Sequence, residues 1–517
     1  MNEFQIKLLS YLNITEEEYL ELIKDVNIND LEDPYNFLNM QKAVDRINLA
    51  INYNEKIMIY GDYDCDGISA TAILVKAFMY LNKKVGYYIP SRYIDGYGLN
   101  LTRAKQIKDK GYNLVITVDN GVAANEAIDF LTNNSIDVIL TDHHEISREL
   151  PYSYTILHPS LKINNVVDKQ CGAYVSLMLS ICLLNRIDPY LVSLATQATI
   201  SDMMPLKGYN RILMKVGLKI INEHKEYPLH LLTNETNIDE ETLGYTICPK
   251  INAFGRIKED LSVNDMVRFF VIEDKLTLKK IAYEIEQVNN LRKNILLNTV
   301  NKLDLNSYKD KKIIVERLDN TSEGVIGLVA AKILNEVNKP CIVFTKSNEQ
   351  DVLKGSARSI KGFSLVDAFS ILSDLLEVYG GHEEAGGLSI KEENYNEFVN
   401  KLNEYTKDIE INLEEEKYLM IEKEDLNYEN YLFIKSLSPF GMEYNKPKFL
   451  LNIDKNNITF MGKDQNHIKG YLSNNVSFVG FSLANKINHS INKCLGTLVY
   501  DDFKKGRNVI FRIEKIL

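Results

Sequence analysis

Three aspartates at alternate positions, Asp62, Asp64 and Asp66, follow the apolar run Ile57-Met58-Ile59-Tyr60 and are bracketed by Gly61 and Gly67. Carboxylates packed this closely raise one another's cost of ionisation. A fold that gathers them at the end of a buried strand usually supplies a cation, so the spacing points to a divalent metal site. An acidic turn is the other reading, since Asp and Gly both form turns. Cys65, between two of the aspartates, reads as a small apolar filler rather than a ligand.

The theme recurs along the chain. Leu114-Val115-Ile116-Thr117-Val118 runs into Asp119-Asn120-Gly121, and Ile136-Asp137-Val138-Ile139-Leu140 runs into Thr141-Asp142-His143-His144. A helical stretch from Leu194 to Ile200 ends in Ser201-Asp202-Met203-Met204-Pro205. Each pair alone reads equally well as a strand-end turn or helix cap; their coincidence on one sheet edge favours a site. Carboxylates with one or two imidazoles suit Mn²⁺ or Mg²⁺ better than zinc. A two-ion arrangement lets one carboxylate bridge ions about 3.5–4 Å apart.

These residues need a scaffold that brings strand ends together. Apolar runs near 57–60, 85–89, 114–118, 137–140 and 155–157 alternate with helical patterns, which implies βαβ units and a parallel sheet. Such sheets bind ligands beyond the carboxyl ends of their strands. Before the sheet, residues 1–50 read as short helices, with Met40, Ala43, Ile47 and Ala50 at helical spacing as a docked face. Residues 265–305, free of Gly and Pro, read as one long connector helix. A second α/β lobe follows over 306–410, with a strand at Ile313-Ile314-Val315, a helix at 328–336 and a strand at Cys341-Ile342-Val343-Phe344. There Gly355-Ser356-Ala357-Arg358-Ser359 reads as a basic turn and Gly380 to Gly387 as a Gly-rich loop. A linker region spans 411–451, and short alternating runs over 452–517 read as a small OB-like barrel. The fold class is therefore α/β, with a catalytic domain over 51–264 and a β-barrel at the C-terminal end.

With 517 residues, two to four domains are expected. Hydrophobic content of 45% and charged content of 25% are ordinary for a globular protein. No apolar run resembles a signal peptide or reaches spanning length, so a cytoplasmic protein with no membrane partner is expected. The six cysteines form no CxxC pair, which indicates neither a disulfide framework nor a zinc knuckle. A net charge of −11 argues against a nucleic-acid coat protein but leaves room for an enzyme with a locally basic groove.

With the motifs placed, the chain resembles the DHH phosphoesterase superfamily, and within it is similar to the RecJ group of single-strand-specific 5′→3′ DNA exonucleases. Gly61-Asp62-Tyr63-Asp64-Cys65-Asp66-Gly67, Thr117-Val118-Asp119-Asn120-Gly121, Thr141-Asp142-His143-His144 and Ser201-Asp202-Met203-Met204-Pro205-Leu206 look like its four ordered motifs. Ile89-Pro90-Ser91-Arg92, Gly96-Tyr97-Gly98-Leu99 and Pro249 to Arg256 resemble RecJ segments, with Phe254 where Ala is usual. Gly324-Val325-Ile326-Gly327, Ser356-Ala357-Arg358 and Gly380-Gly381-His382 suggest the associated DHHA1-like domain. Many members carry His where Tyr60 stands, which implies that one ion is held differently here.

The resemblance implies roles. Asp64, Asp66, Asp119, His143 and Asp202 are the expected ligands of two divalent ions, with Asp119 as the bridge. Asp62 is a sixth candidate, with orientation of the loop as its alternative role. Asp142 is expected to orient an imidazole and His144 to touch the scissile phosphate. Arg92, Ser356 and Arg358 are candidates for a terminal 5′ phosphate, and Arg256 and His382 for the adjacent backbone. Tyr471, Phe478 and Phe481 are candidate stacking platforms, with barrel-core packing as the other reading. Implied partners are single-stranded DNA, a single-strand binding protein and a helicase, with the protein acting as a monomer. Two alternatives stay open: a DHH phosphodiesterase acting on short oligoribonucleotides or cyclic dinucleotides, and a non-catalytic DNA-binding subunit.

Overall fold

The computed structural model describes residues 1–146, 148–163, 169–257, 262–347, 349–407, 409, 417–487, 489–501 and 506–517. The chain divides into two compact units. One comprises Ile28–Met204 and Gly208–Glu414; the other comprises Met1–Asn27, Pro205–Lys207 and Glu415–Leu517.

Five short parallel strands build the first sheet of the larger unit: β1 (Ile57–Tyr60), β2 (Gly86–Tyr88), β3 (Leu114–Val118), β4 (Asp137–Thr141) and β5 (Thr155–Leu157), in the order β2-β1-β3-β4-β5. All five strand positions expected from the apolar runs are present. In this order the winding direction reverses between β1 and β3, and the crevice at such a switch point is where doubly wound sheets place ligands. Asp62 to Asp66 leave β1, and Asp119 leaves β3.

Helices cover the sheet. The face read from Met40, Ala43, Ile47 and Ala50 belongs to α1 (Met40–Asn52), and all four residues are fully buried. The following α2 (Cys65–Tyr80) is buried along almost its whole length, as is α3 (Gly172–Leu184). They pack with α4 (Pro189–Ser201) into a layer buried on nearly all sides. Next comes α5 (Cys248–Ile257).

The expected single helix over 265–305 is instead two, α6 (Asn264–Val271) and α7 (Lys275–Val300). Ile272 turns to extended backbone, and the Asp274 side chain accepts from the Thr277 amide to start α7. The connector is thus long but begins ten residues later than expected. In the second lobe, α8 (Glu323–Val337) starts earlier than expected and takes in Gly324 to Gly327.

The sheet of that lobe has the order β6-β7-β8-β10-β9, formed by β6 (Ile314–Arg317), β7 (Cys341–Lys346), β8 (Val352–Arg358), β9 (Leu376–His382) and β10 (Ala385–Lys391). Two sequence expectations are corrected here. Gly355 to Arg358 is strand, not a turn, because Leu353, Gly355 and Ala357 alternate inward and only a glycine fits between Phe344 and Leu388. Gly380 to Gly387 is a β-hairpin, not a loop.

The second unit carries a seven-stranded sheet in the order β11-β12-β16-β17-β15-β14-β13. Its strands are β11 (Leu419–Met420), β12 (Phe449–Asp454), β13 (Thr459–Met461), β14 (His467–Ser473), β15 (Val476–Gly480), β16 (Ile491–Tyr500) and β17 (Val509–Ile516). Most pairs are antiparallel, but β11–β12 and β15–β17 are parallel. Helices Glu3–Leu12 and Tyr428–Ser436 bury Phe4, Leu8, Leu9, Phe433 and Ile434 in its core. The helices read within residues 1–50 are therefore divided between the two units. Of the region read as linker, 411–416 lies outside the described residues, and the remainder holds this helix, β11 and the start of β12. Among the described residues no helix is long and apolar enough to cross a membrane.

Candidate active site

Each strand of the switch point delivers its carboxylates through local geometry. Asp64 caps α2, its Oδ1 accepting from the amides of Asp66 (2.9 Å) and Gly67 (3.1 Å). Asp66, in the first turn, points the other way and accepts from the amides of Gly172 (2.6 Å) and Ala173 (2.7 Å) at the start of α3. A helix N-terminus favours a negative charge at that place. Residue 172 must be glycine, because a Cβ there would stand 2.6 Å from the Cβ of Asp119. Asp119 takes left-handed backbone, with φ of 61°, as the chain leaves β3. Asp202 closes α4.

These groups meet around His143. Its Nε2 lies 3.0 Å from Asp119 Oδ1, 3.4 Å from Asp202 Oδ2 and 3.6 Å from Asp66 Oδ2. Asp119 Oδ1, Asp202 Oδ2, Asp62 Oδ1 and His143 Nε2 are all buried, and none makes a hydrogen bond among the described residues. Burying polar atoms without partners is costly, so a set that converges in this way fits a divalent cation. Three groupings have ligand atoms within 4.8 Å of one another: Asp66 with His143 and Asp202, Asp62 with Asp64 and Asp119, and Asp119 with His143 and His144. All six expected ligands are therefore brought together. Tyr60 is not: it is buried in the core, and its hydroxyl donates to the Gly98 carbonyl at 3.2 Å.

Crowding sets the protonation of the cluster. Burial, then Asp66 and Asp64, push Asp202 up to about 9; burial and Asp64 push Asp66 up to about 6. Asp119 and Asp62 are raised as well, chiefly by burial and then by neighbouring carboxylates. Burial, with His144 beside it, lowers His143 to about 3 and keeps it neutral.

Asp142 and His144 form a second pair. Asp142 is buried and accepts from the amides of Val122, His143 and His144 and from His144 Nδ1, the last at 2.8 Å. Burial alone would raise its pKa, but the His144 hydrogen bond brings it down to about 2. Burial would likewise lower His144, yet the bond to Asp142 lifts it to about 9. His144 is partly exposed, and the Tyr97 hydroxyl stands 3.1–3.2 Å from its ring nitrogens.

A cationic group faces this centre. The Arg92 guanidinium lies over the Tyr63 ring, 4.2 Å from its centroid, and its Nε is buried without a hydrogen bond among the described residues. Burial, then Arg92 and Arg358, lower Arg256 to about 10; burial and Arg92 lower Arg358. Arg358 donates to Ser356 Oγ (3.4 Å) and the Ala357 carbonyl (2.7 Å). Among the described residues, none of the three arginines has a carboxylate within ion-pair distance. Three guanidiniums gathered without a carboxylate partner among the described residues fit a phosphate. Gly324 lets α8 press against the Arg256 backbone, since a Cβ there would lie 2.1 Å from its carbonyl oxygen. His382 stands apart, exposed at the end of β9, with β10 between it and Arg358.

Sequence reasoning missed several participants. Tyr63 and Tyr97 flank the centre, and Tyr93 donates to the Arg256 carbonyl at 2.6 Å. Asn252 Oδ1 accepts from the Cys65 amide at 2.8 Å, tying α5 to the first motif, and His158 Nε2 bonds the His144 carbonyl at 2.9 Å. The tyrosines and Asn252 lay inside or beside quoted segments, but nothing in their spacing distinguished them from packing residues.

Residues 56–200 match the DHH family, N-terminal domain; 310–408 match the DHHA1 domain; 419–515 match the RecJ OB domain. The fold and these matches thus place the chain in the DHH class. The single-stranded-DNA-specific exonuclease RecJ of Bacillus subtilis is 33% identical over 473 residues, which cover 88% of this chain and 59% of that protein. RecJ of Dickeya dadantii is 30% identical over 391 residues, 69% of this chain and 67% of that protein. A crystal structure of Thermus thermophilus RecJ in complex with Mn²⁺ superposes with a TM-score of 0.83 at 24% identity, covering 99% of this chain and 77% of that one. The chain belongs to the RecJ family. It spans about three fifths of the length of its Bacillus subtilis relative.

Proposed function

We propose that this chain is a single-strand-specific 5′→3′ DNA exonuclease that hydrolyses phosphodiester bonds with two divalent ions, Mn²⁺ or Mg²⁺, in DNA repair and recombination. The observation that carries this reading is the convergence of four buried polar atoms without hydrogen bonds among the described residues, from Asp62, Asp119, His143 and Asp202. In this reading Asp66, His143 and Asp202 hold one ion, and Asp62, Asp64 and Asp119 hold the other. Asp119 would be the residue shared between the two groups, since its Oδ1 also stands 3.0 Å from His143 Nε2. Once bound, the ions supply Lewis acidity and neutralise charge on the attacking and leaving oxygens.

The remaining residues bind and orient. His143, neutral, offers a lone pair. His144, held cationic by Asp142, meets the scissile phosphate from the open side. Arg92, Ser356 and Arg358 grip a 5′-terminal phosphate, Arg256 holds the backbone next to it, and His382, expected to share that role, lies one strand further out. Residues 51–264 form the catalytic domain and 306–410 the substrate-binding domain, and the nucleic-acid-binding unit, expected over 452–517, takes in the strands from Leu419 onward. We further propose a cytoplasmic monomer working beside a single-strand binding protein and a helicase.

The alternative, a phosphodiesterase of short oligoribonucleotides or cyclic dinucleotides, has no use for a seven-stranded unit with exposed aromatics. Long single strands, blunt duplexes, dinucleotides and cyclic dinucleotides, each with Mn²⁺ and with chelator, separate the two. Mn²⁺-dependent shortening of long single strands supports the proposal; turnover of dinucleotides alone refutes it.

A further inference from the structure

The segment from Ser91 to Gly98 connects β2 to the helix Leu101–Asp109, and its side chains reach three parts of the site. Arg92 stacks over Tyr63. Tyr93 bonds the Arg256 carbonyl and Ser322 Oγ, the latter at 2.7 Å, so it spans from one lobe of the larger unit to the other. Tyr97 meets His144. With two glycines at positive φ, Gly96 and Gly98, the segment has little intrinsic reason to hold one shape.

What holds it is Asp95, which the motif reading passed over. Its side chain is only 4% exposed. Oδ2 accepts from the Tyr88 hydroxyl (2.9 Å) and the Ser91 amide (2.8 Å), and Oδ1 accepts from Arg103 Nε (2.6 Å). Its backbone carbonyl accepts from Asn100 Nδ2 at 3.0 Å. One carboxylate thus ties the beginning of the segment to β2 on one side and to the following helix on the other. Arg103 also lies over the Tyr88 ring, 4.6 Å from its centroid, which closes the network. Among the described residues no side-chain hydrogen bond or ion pair joins these partners to the candidate metal ligands; Tyr88 meets the first motif only through its carbonyl, which accepts from the Gly61 amide at 3.0 Å.

We infer that Asp95 is a positioning residue for end recognition: by fixing the turn that carries Arg92 and Tyr93, it sets the arginine group against a strand's terminal phosphate. The inference rests on the proposed role of Arg92. It implies that Asp95 affects which strand end is accepted far more than whether ions bind. Misplacing a gripping residue by about 1 Å can cost roughly a hundredfold, so the effect is large enough to measure.

The test compares hydrolysis of 5′-phosphorylated and 5′-hydroxyl single strands by the parent, Asp95→Ala, Asp95→Asn and Arg103→Ala, with Mn²⁺ affinity measured by calorimetry. Asp95→Ala is expected to raise KM for the phosphorylated strand roughly ten- to hundredfold and to erase the preference over the hydroxyl strand. Its kcat should fall less than KM rises, and its Mn²⁺ affinity should match the parent's. Asp95→Asn, which keeps two acceptor bonds, should recover part of the preference, and Arg103→Ala should lose part of it. Parental KM and preference in Asp95→Ala overturn the inference. So does a loss of Mn²⁺ affinity and kcat with the preference intact, which marks a merely structural role. A parent that does not discriminate between the two ends overturns the reading of Arg92 itself, before any variant is compared.

Discussion

Asp202 closes a helix, lies beside Asp66 and Asp64, and is pushed from its ordinary 3.8 up to about 9. His144 is lifted from 6.5 to about 9 by Asp142. Both groups hold their protons more tightly in the folded state than in the unfolded chain, so the stability they contribute is full at low pH and is lost as pH rises toward 9. Between 6.5 and about 9 the two act in the same direction, and the depressed His143 and Asp142 no longer titrate. The metal-free protein should therefore lose thermal stability across that window. Asp202→Asn should flatten the fall, and Mn²⁺ should flatten it in the parent, as melting curves with and without chelator will reveal. A metal-free melting temperature that rises across the window contradicts this assignment. At His144, substitution by Ala should cost about 10²–10³ in kcat, as loss of one donor to developing charge does, with Mn²⁺ affinity retained. The residues of this cluster were legible in the sequence because acidic and imidazole groups recur at successive strand exits of one sheet, although each pair alone reads equally well as a turn or cap. Tyr63, Tyr97 and Asp95 were not, because tyrosines and salt-bridged aspartates are common in any fold.

The start of α3 is the element on which the centre depends most. Its first two amides hold Asp66, and Gly172 lies against Asp119. Gly172→Ala should cost about 1–3 kcal/mol of stability by overpacking and weaken Mn²⁺ binding as Asp119 shifts. Calorimetry beside a melt reads both; unchanged Mn²⁺ affinity would show that the contact does not set the ligand's place. Elements were readable where hydrophobic period and length agreed, as in β1, β3 and α1. They misled where small residues had a packing reason invisible in one dimension. Gly355 reads as a turn yet sits in a strand squeezed between Phe344 and Leu388. The break before α7 leaves no mark but the Asp274 cap, because the apolar pattern runs straight through it.

For the molecule as a whole, the two units supply different properties. The larger carries the ligand cluster and the arginine group; the smaller carries a sheet with Tyr471 and Phe481 exposed at 62% and 59%. Phe478, the third aromatic named from sequence, is buried in that sheet's core at 1%, because alternate residues of β15 face inward. Tyr471→Ala and Phe481→Ala should each weaken binding of a long single strand by about 1–3 kcal/mol. Phe478→Ala should act on stability instead, which fluorescence anisotropy and melting curves will separate. The direction of attack tests the account most directly. A long single strand labelled at its 5′ end and a matched strand labelled at its 3′ end are digested with Mn²⁺, by the parent and by Asp119→Ala. The account predicts that the parent releases the 5′ label first as a mononucleotide while the 3′-labelled strand shortens step by step, and that Asp119→Ala does neither. Release from the 3′ end, cleavage within the strand, or an active Asp119→Ala would contradict it.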